Sequence, residues 1–177
     1  RTRTRTRTRT CTQKRLNDPH GLSVDPVHLR YHPMWQRIID AIPQRWGHAV
    51  SDNLVDWHQL PMALQNDQPY DKGGVFSGSA TILNDASATP VLSFAVNTHA
   101  SINLAYPTNR SDPQLIEWTK LATNPIIDAA RGDPKGEDPT SMWLSKDRKS
   151  WLLAYAAAPA GKQDELLVYK SSSTDVI

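Results

Sequence analysis

The sequence predicts an all-β protein built from propeller-like blades, and three observations carry that reading. Apolar runs are short and bounded by turn residues. Thirteen prolines among 177 residues work against long helices. The runs also fall into loose groups of strands, each followed by an exposed turn with Asp, Ser or Thr, which suits four-stranded blades better than a closed barrel. From Trp46 onward the elements follow in order. "SATILND" alternates and stops at Asn84-Asp85. "TPVLSFAVN" reads as a buried strand ending at Asn97. "SINLAYP" ends at Pro107. "QLIEWTKL" lies between Asp112-Pro113 and Asn124-Pro125. "TSMWLS" and "SWLLAYAAA" are separated by the charged turn Lys146-Asp147-Arg148-Lys149, and "ELLVYKSSS" closes the series. One stretch departs from this. "HPMWQRIIDAIPQRW" places Trp35, Ile38, Ile39 and Ile42 at helical spacing and predicts a short helix or irregular loop ended by Pro43.

The charge balance narrows the partners. Arg1 to Thr10 is five Arg-Thr repeats; the other 15 basic residues face 18 acidic ones, a net of −3. The body is therefore mildly acidic and lacks the basic face that nucleic acid needs. The repeat cannot bury apolar surface, so residues 1–11 are expected to be a disordered tail and 12–177 a folded domain. Cys11 is the one cysteine, which excludes an internal disulfide and leaves no thiol-based metal or redox constellation. No apolar run approaches the roughly 20 residues of a membrane-spanning helix. Arg-Thr repeats stand where a signal peptide would carry its apolar region, so no export signal is expected from this N-terminus.

Four segments hold candidate chemistry. In "RLNDPHG", Asn17-Asp18-Pro19 is turn-like, and the triplet alone leaves Asp18 open between a turn residue and a carboxylate nucleophile. In "WGHAVSDNLVDWHQLPMAL", Trp46 to Leu64, His48 is expected to be structural. In "GGVFSGSAT", Gly73 to Thr81, glycines let the backbone approach a neighbour and serines offer hydrogen bonds. No Lys follows and no helix opens, which excludes a phosphate loop. "GEDPTSMWL" holds a second Asp-Pro turn at Asp138. Two such turns can bring two carboxylates to one end of a sheet assembly, and paired carboxylates are the working parts of glycoside hydrolysis.

Taken together and in this order, the four segments resemble glycoside hydrolase family 32, the invertases and fructan-active enzymes, and most closely its plant-type branch. "NDPHG" is similar to the family's Asn-Asp-Pro-Asn-Gly box, "WGHAVSDNLVDWHQLPMAL" to its Trp-Gly-His segment and "YDKGGVFSGSAT" to its sucrose-box region. "INLAYPTNRSDPQLIEW" resembles a stretch of plant members, and "EDPTSMWL" sits where the family has Arg-Asp-Pro. The likeness runs over about residues 16 to 170. It implies a five-bladed β-propeller, of which this chain would supply about the first three blades without the family's C-terminal β-sandwich. It implies retaining cleavage of a β-fructofuranoside such as sucrose or a fructan, with no cofactor and no metal. Asp18 takes the nucleophile's position and Asp138 that of the transition-state stabiliser. Asn17, Phe76 and Ser77 match positions lining the fructose subsite. A carboxylate nucleophile works ionised, which calls for polar neighbours rather than a dry pocket. Family members are usually secreted, in the cell wall or vacuolar.

Departures from the pattern set the expectations for this chain. The family's acid/base Glu stands in a Glu-Cys-Pro box, which these residues lack; Glu165 opens a strand with no Cys after it. General acid catalysis contributes about 10²–10⁴-fold, so cleavage by this chain is expected to be impaired. Arg15 replaces a family Trp, and the Tyr-Gln motif after the first box is shortened to "HLRYHP" with its Gln gone. Glu137 replaces the Arg of Arg-Asp-Pro, which reverses a charge beside Asp138; Arg131 is a candidate substitute. An incomplete propeller also exposes a strand edge and a blade face. A hydrolase, a fructosyltransferase, a non-catalytic sucrose- or fructan-binding relative and an inactive gene fragment all remain readings of the sequence, and it signals neither compartment nor oligomeric state.

Overall fold

The computed structural model describes residues 14–39, 42–97, 100–133, 135–157, 165–172 and 176. The Arg-Thr tract, expected to be a disordered tail, lies outside them. The described chain folds as three antiparallel sheets in sequence order. Strands β1 (Lys14–Asp25), β2 (Arg30–Ile39), β3 (Ile42–Val50) and β4 (His58–Leu64) form the first as an up-and-down meander. β5 (Val75–Ile82), β6 (Pro90–Val96), β7 (Ser101–Pro107) and β8 (Trp118–Lys120) form the second in the same way. In the third, β9 (Gly136–Glu137) and β10 (Trp143–Leu144) pair with opposite ends of one edge of β11 (Trp151–Ala157). β12 (Glu165–Lys170) pairs along its other edge. Consecutive four-stranded meanders are the blades of a β-propeller, and the all-β expectation of about three blades holds.

The predicted helix does not. "HPMWQRIIDAIPQRW" is split between β2 and β3, which pair antiparallel. The decisive signal is a period of two carried by polar residues: His32, Met34 and Gln36 are buried, while Tyr31, Pro33 and Trp35 are only partly so. A pattern search that counts only apolar residues sees Trp35, Ile38, Ile39 and Ile42 and misses that His and Gln face inward. "QLIEWTKL" is also shorter as a strand than predicted, since only Trp118–Lys120 joins the ladder.

Two cores follow from this stacking. Met34, Trp46, Leu64, Val75, Leu92 and Phe94 pack between the first two sheets. Val91, Ala95, Ile102, Leu104, Met142, Trp151 and Leu153 pack between the second and third. The middle sheet is buried on both faces, so every residue of β6 is buried and "PVLSFAV" reads as an apolar run interrupted only by the buried Ser93. β12 shows the opposite pattern: Leu166 is 72% and Val168 56% exposed.

The first two blades are locked by one ionic cluster. Asp25, at the end of β1, is 1% exposed and accepts two bonds from Arg110, at 2.5 and 3.0 Å. It also bonds His28 Nδ1 at 2.6 Å and the Val27 N–H. Arg110 comes from the loop between β7 and β8 and donates further to the carbonyls of Ser87 and Ala88. Burial by itself raises the Asp25 carboxyl, but the Arg110 and His28 bonds outweigh it and hold the group well below the usual carboxylate range. Removing one partner strands a buried charge. Arg110→Ala is therefore expected to cost about 3–5 kcal/mol in a urea melt, and a loss below about 1 kcal/mol, the scale of a surface pair, would refute the assignment.

Candidate active site

The candidate site is made by two β-bulges that face each other across the first two blades. In the β1–β2 ladder Asn17 pairs with Gln36 and Pro19 with Trp35, so Asp18 is an extra residue with no partner opposite. The register of β5 against β6 also slips between Val75 and Gly78, where two residues, Phe76 and Ser77, oppose one. A bulge bends its strand and re-aims its side chains. Of the two alternatives that the triplet left open, the turn is excluded: Asp18 stands in mid-strand. Pro19 is tolerated there because β1 is an edge strand and the bulge needs no ladder N–H from it.

Three side chains join the two bulges. The Ser77 hydroxyl donates to Asp18 Oδ2 at 3.3 Å. Gln36 Nε2 donates to Ser77 Oγ at 2.8 Å, which leaves the hydroxyl proton free to point at the carboxylate. The Trp46 indole N–H donates to the Phe76 carbonyl at 2.7 Å. Gln36 and Trp46 stand opposite each other in the β2–β3 ladder, and Asn17 stands opposite Gln36, so one row across the first blade supports the site. Gln36 was not found by the sequence reading, which took the glutamine of this region as lost. The pairing register restores one, 3% exposed, directly behind Asn17. The signal lay in Gln36 keeping the two-residue period with His32 and Met34.

Close packing explains the glycines. A Cβ on Gly78 would stand 2.0 Å from the Ser93 carbonyl oxygen, so β5 can cross β6 at the bulge only without a side chain. A Cβ on Gly47 would lie 2.5 Å from the Trp35 ring. The glycine of Trp-Gly-His is therefore the floor on which Trp35 lies.

Asp138 follows β9 with φ +47°, a left-handed conformation that Asp adopts more readily than most residues. It lines a cavity of 130 Å³ with Phe76, Ala95, Val96, Asn97, Ala100 and Glu137. Phe76 thus connects the two halves: its neighbour Ser77 bonds Asp18, and its own side shares a cavity with Asp138. Glu137 is in β9 opposite Ala156, exposed. Arg131 does not serve as the substitute cation, because its guanidinium is committed to Asp128 Oδ2 at 3.2 Å and to the Pro125 carbonyl. Glu165 is exposed at the start of β12, opposite Ala157.

Three histidines lie near the site, His32 and His48 buried and His20 partly so. His20, two residues past Asp18, stacks on Trp46 with ring centroids 4.0 Å apart. His32 Nδ1 and His48 Nε2 are 3.0 Å apart in the interior, at 1% and 0% exposure. Burial pushes His48 down to about 3, helped by the neighbouring His32. It pushes His32 and His20 down to about 4, against the pull of Asp25 and Asp18 respectively. His48 is thereby a structural residue, as its sequence context predicted.

The fold and the bulge-mounted Asp18 define a propeller domain with a carboxylate at its inner strand, and comparison with known proteins gives the family. Residues 10–176 match the profile of the glycosyl hydrolases family 32 N-terminal domain. The chain belongs to glycoside hydrolase family 32. It is 37% identical over 166 residues to an acid beta-fructofuranosidase of Solanum lycopersicum, covering 89% of this chain and 25% of that protein. It is 36% identical over 167 residues to a fructan 1-exohydrolase of Bromus pictus, covering 88% and 26%. Among solved structures, fructan 1-exohydrolase IIa from Cichorium intybus superposes with a TM-score of 0.76 at 31% identity, over 89% of this chain and 30% of that one. A single-residue variant of that enzyme in complex with 1-kestose gives 0.77. The chain thus spans about a quarter of the length of the curated relatives it matches.

The histidine pair sets an acid limit. Unfolded, each takes a proton near its ordinary 6.5; folded, each stays neutral to well below that. Stability is therefore full above pH 6.5 and falls as the pH drops toward 4, by about 1.4 kcal/mol per pH unit for each neutral buried histidine. Urea midpoints measured from pH 7.5 to 4.5 should show this slope. His48→Gln, which hydrogen-bonds but does not titrate, should lower the slope by one histidine's share, about 1.4 kcal/mol per pH unit; an equal slope in the variant would refute the assignment.

Proposed function

We propose that this chain carries the fructosyl half of a β-fructofuranosidase site, with Asp18 as the nucleophile. The observation that carries the reading is the polar support of that carboxylate: Ser77 donates to it and Gln36 fixes the hydroxyl, at the position the family's Asn-Asp-Pro box assigns to the attacking group. An exposed, hydrogen-bonded carboxylate on a rigid bulge suits a nucleophile that must stay ionised. In the reaction an Asp18 oxygen bonds the anomeric carbon of the fructosyl unit. The glycosidic C–O bond breaks, and the leaving sugar's oxygen takes a proton from an acid. Water then cleaves the fructosyl ester and returns the carboxylate. Asn17 and Ser77 contact the fructose hydroxyls with Gln36 supporting Ser77 from behind, Phe76 walls the ring, and Asp138 hydrogen-bonds the sugar as positive charge develops. Sucrose and short fructans are the substrates this site fits.

A second reading has its own support. The 177 residues hold no Glu-Cys-Pro triplet to furnish the acid, and Glu137 sets a second negative charge beside Asp138. Protonation of the leaving group is then missing while sugar contacts remain, and the chain binds a fructoside better than it cleaves one.

β-D-Fructofuranosyl fluoride separates these requirements, since fluoride departs without a proton from the enzyme. The purified chain is expected to release fluoride from it and to turn over sucrose slower by at least about 10²-fold, the range of general acid catalysis. Asp18→Ala should abolish fluoride release. Release at equal rates by both proteins, or by neither, would refute Asp18 as the nucleophile.

A further inference from the structure

A second, larger cavity lies away from this site, on the outer strands. It is a groove of 660 Å³ between β4 with its following loop and β8 with its flanks. That volume falls within the range of small-molecule sites, and the groove shares no residue with the Asp18 site. Its lining sorts the ligands it can take. Among the described residues that line it, Lys120 is the one cation. The Lys120 ammonium bonds Asp67 at 2.5 Å and also the Asp71 carboxylate and the Gln65 carbonyl. An ammonium has three donors, so these three acceptors occupy it, and it acts as a strap joining the groove's two walls. Glu117 and Asp67 also line the groove, and both are exposed. An anionic ligand would meet these carboxylates with no free cation to balance it. An apolar ligand would bury polar groups without partners.

What remains is a neutral ligand rich in hydroxyl donors. Glu117 and Asp67 accept from such hydroxyls. Thr119, whose hydroxyl is paired with that of Thr108 at 2.7 Å, adds a group that both donates and accepts. Tyr70 and Trp118, both half-buried in the lining, offer aromatic surface to the C–H face of a sugar ring. Because Lys120 is held on three sides and Asp71 is fully buried, the walls are set before a ligand arrives, which lowers the cost of ordering them. We propose that the groove is a second carbohydrate site, which holds an uncharged oligosaccharide on the outer rim of the blades without cleaving it.

Titration of the folded chain with 1-kestose, followed by amide and indole resonances, tests this. Trp118 and Thr119 should shift saturably, with a dissociation constant unchanged in Asp18→Ala. The paired variant Glu117→Ala with Thr119→Val should weaken that binding about tenfold, the effect of losing one hydrogen bond to a charged group, while resonances of Asn17 and Ser77 respond as in the parent. Unmoved Trp118 and Thr119 resonances in the parent chain would overturn the proposal, and that result does not depend on whether any variant folds. So would tighter binding of glucose 6-phosphate than of 1-kestose at the groove. Because the two sites report through different resonances, loss of one reading leaves the other standing.

Discussion

The bond from the Trp46 indole to the Phe76 carbonyl is the contact on which the rest of the site depends. Trp46 is fully buried between the first two sheets, packed on Phe94 and under His20. Its N–H must find an acceptor there, because a buried donor left unpaired costs roughly 1–3 kcal/mol. The acceptor it takes is a carbonyl that the β5 bulge turns away from the β6 ladder. The bulge thus satisfies the tryptophan, and the tryptophan holds the bulge. Ser77 follows Phe76, so the same bond sets where the Ser77 hydroxyl points, and through it the Asp18 carboxylate. Without Gly78 the strand could not approach Ser93 closely enough for this geometry.

This arrangement explains why long segments of the chain have an identifiable pattern while individual residues do not. Strands β6, β7 and β11 are legible because they are buried on both faces or nearly so, and apolar residues dominate their runs despite Ser93, Ser101 and Asn103. Strands β2 and β3 are not, because their inward faces carry His32, Gln36 and His48. A histidine pair buried as its own hydrogen-bond partner looks like surface in the sequence. These inward-facing polar groups break the apolar period from which strands are read.

The site itself was legible only as motifs. Asn17, Asp18, Phe76, Ser77 and Asp138 can be picked out as segments in the right order, yet nothing in their spacing says that Asp18 and Ser77 touch. That contact arises because both fall on bulges, and a bulge is invisible until strands have partners. Gln36 escapes for the same reason. Its distance along the chain from the first box differs from what the motif leads one to expect, but its place opposite Asn17 is a matter of register, and register belongs to the pair of strands rather than to either alone.

The charge distribution gives the site its direction. The paired cations of the first two blades are placed away from it: Arg110 closes on Asp25, and Lys120 on Asp67 and Asp71. Arg131, from the segment that leads to the third blade, closes on Asp128. Each of these cations is spent on holding loops or outer strands. Asp18 is left with the Ser77 hydroxyl as its donor, and Asp138 and Glu137 line a cavity that holds no cationic side chain among the described residues. Such a surface repels anions and favours ligands that bring their own hydrogens. The carboxylates differ in company: at the groove the Lys120 ammonium holds Asp67 and Asp71, whereas at the bulge the Ser77 hydroxyl donates to Asp18.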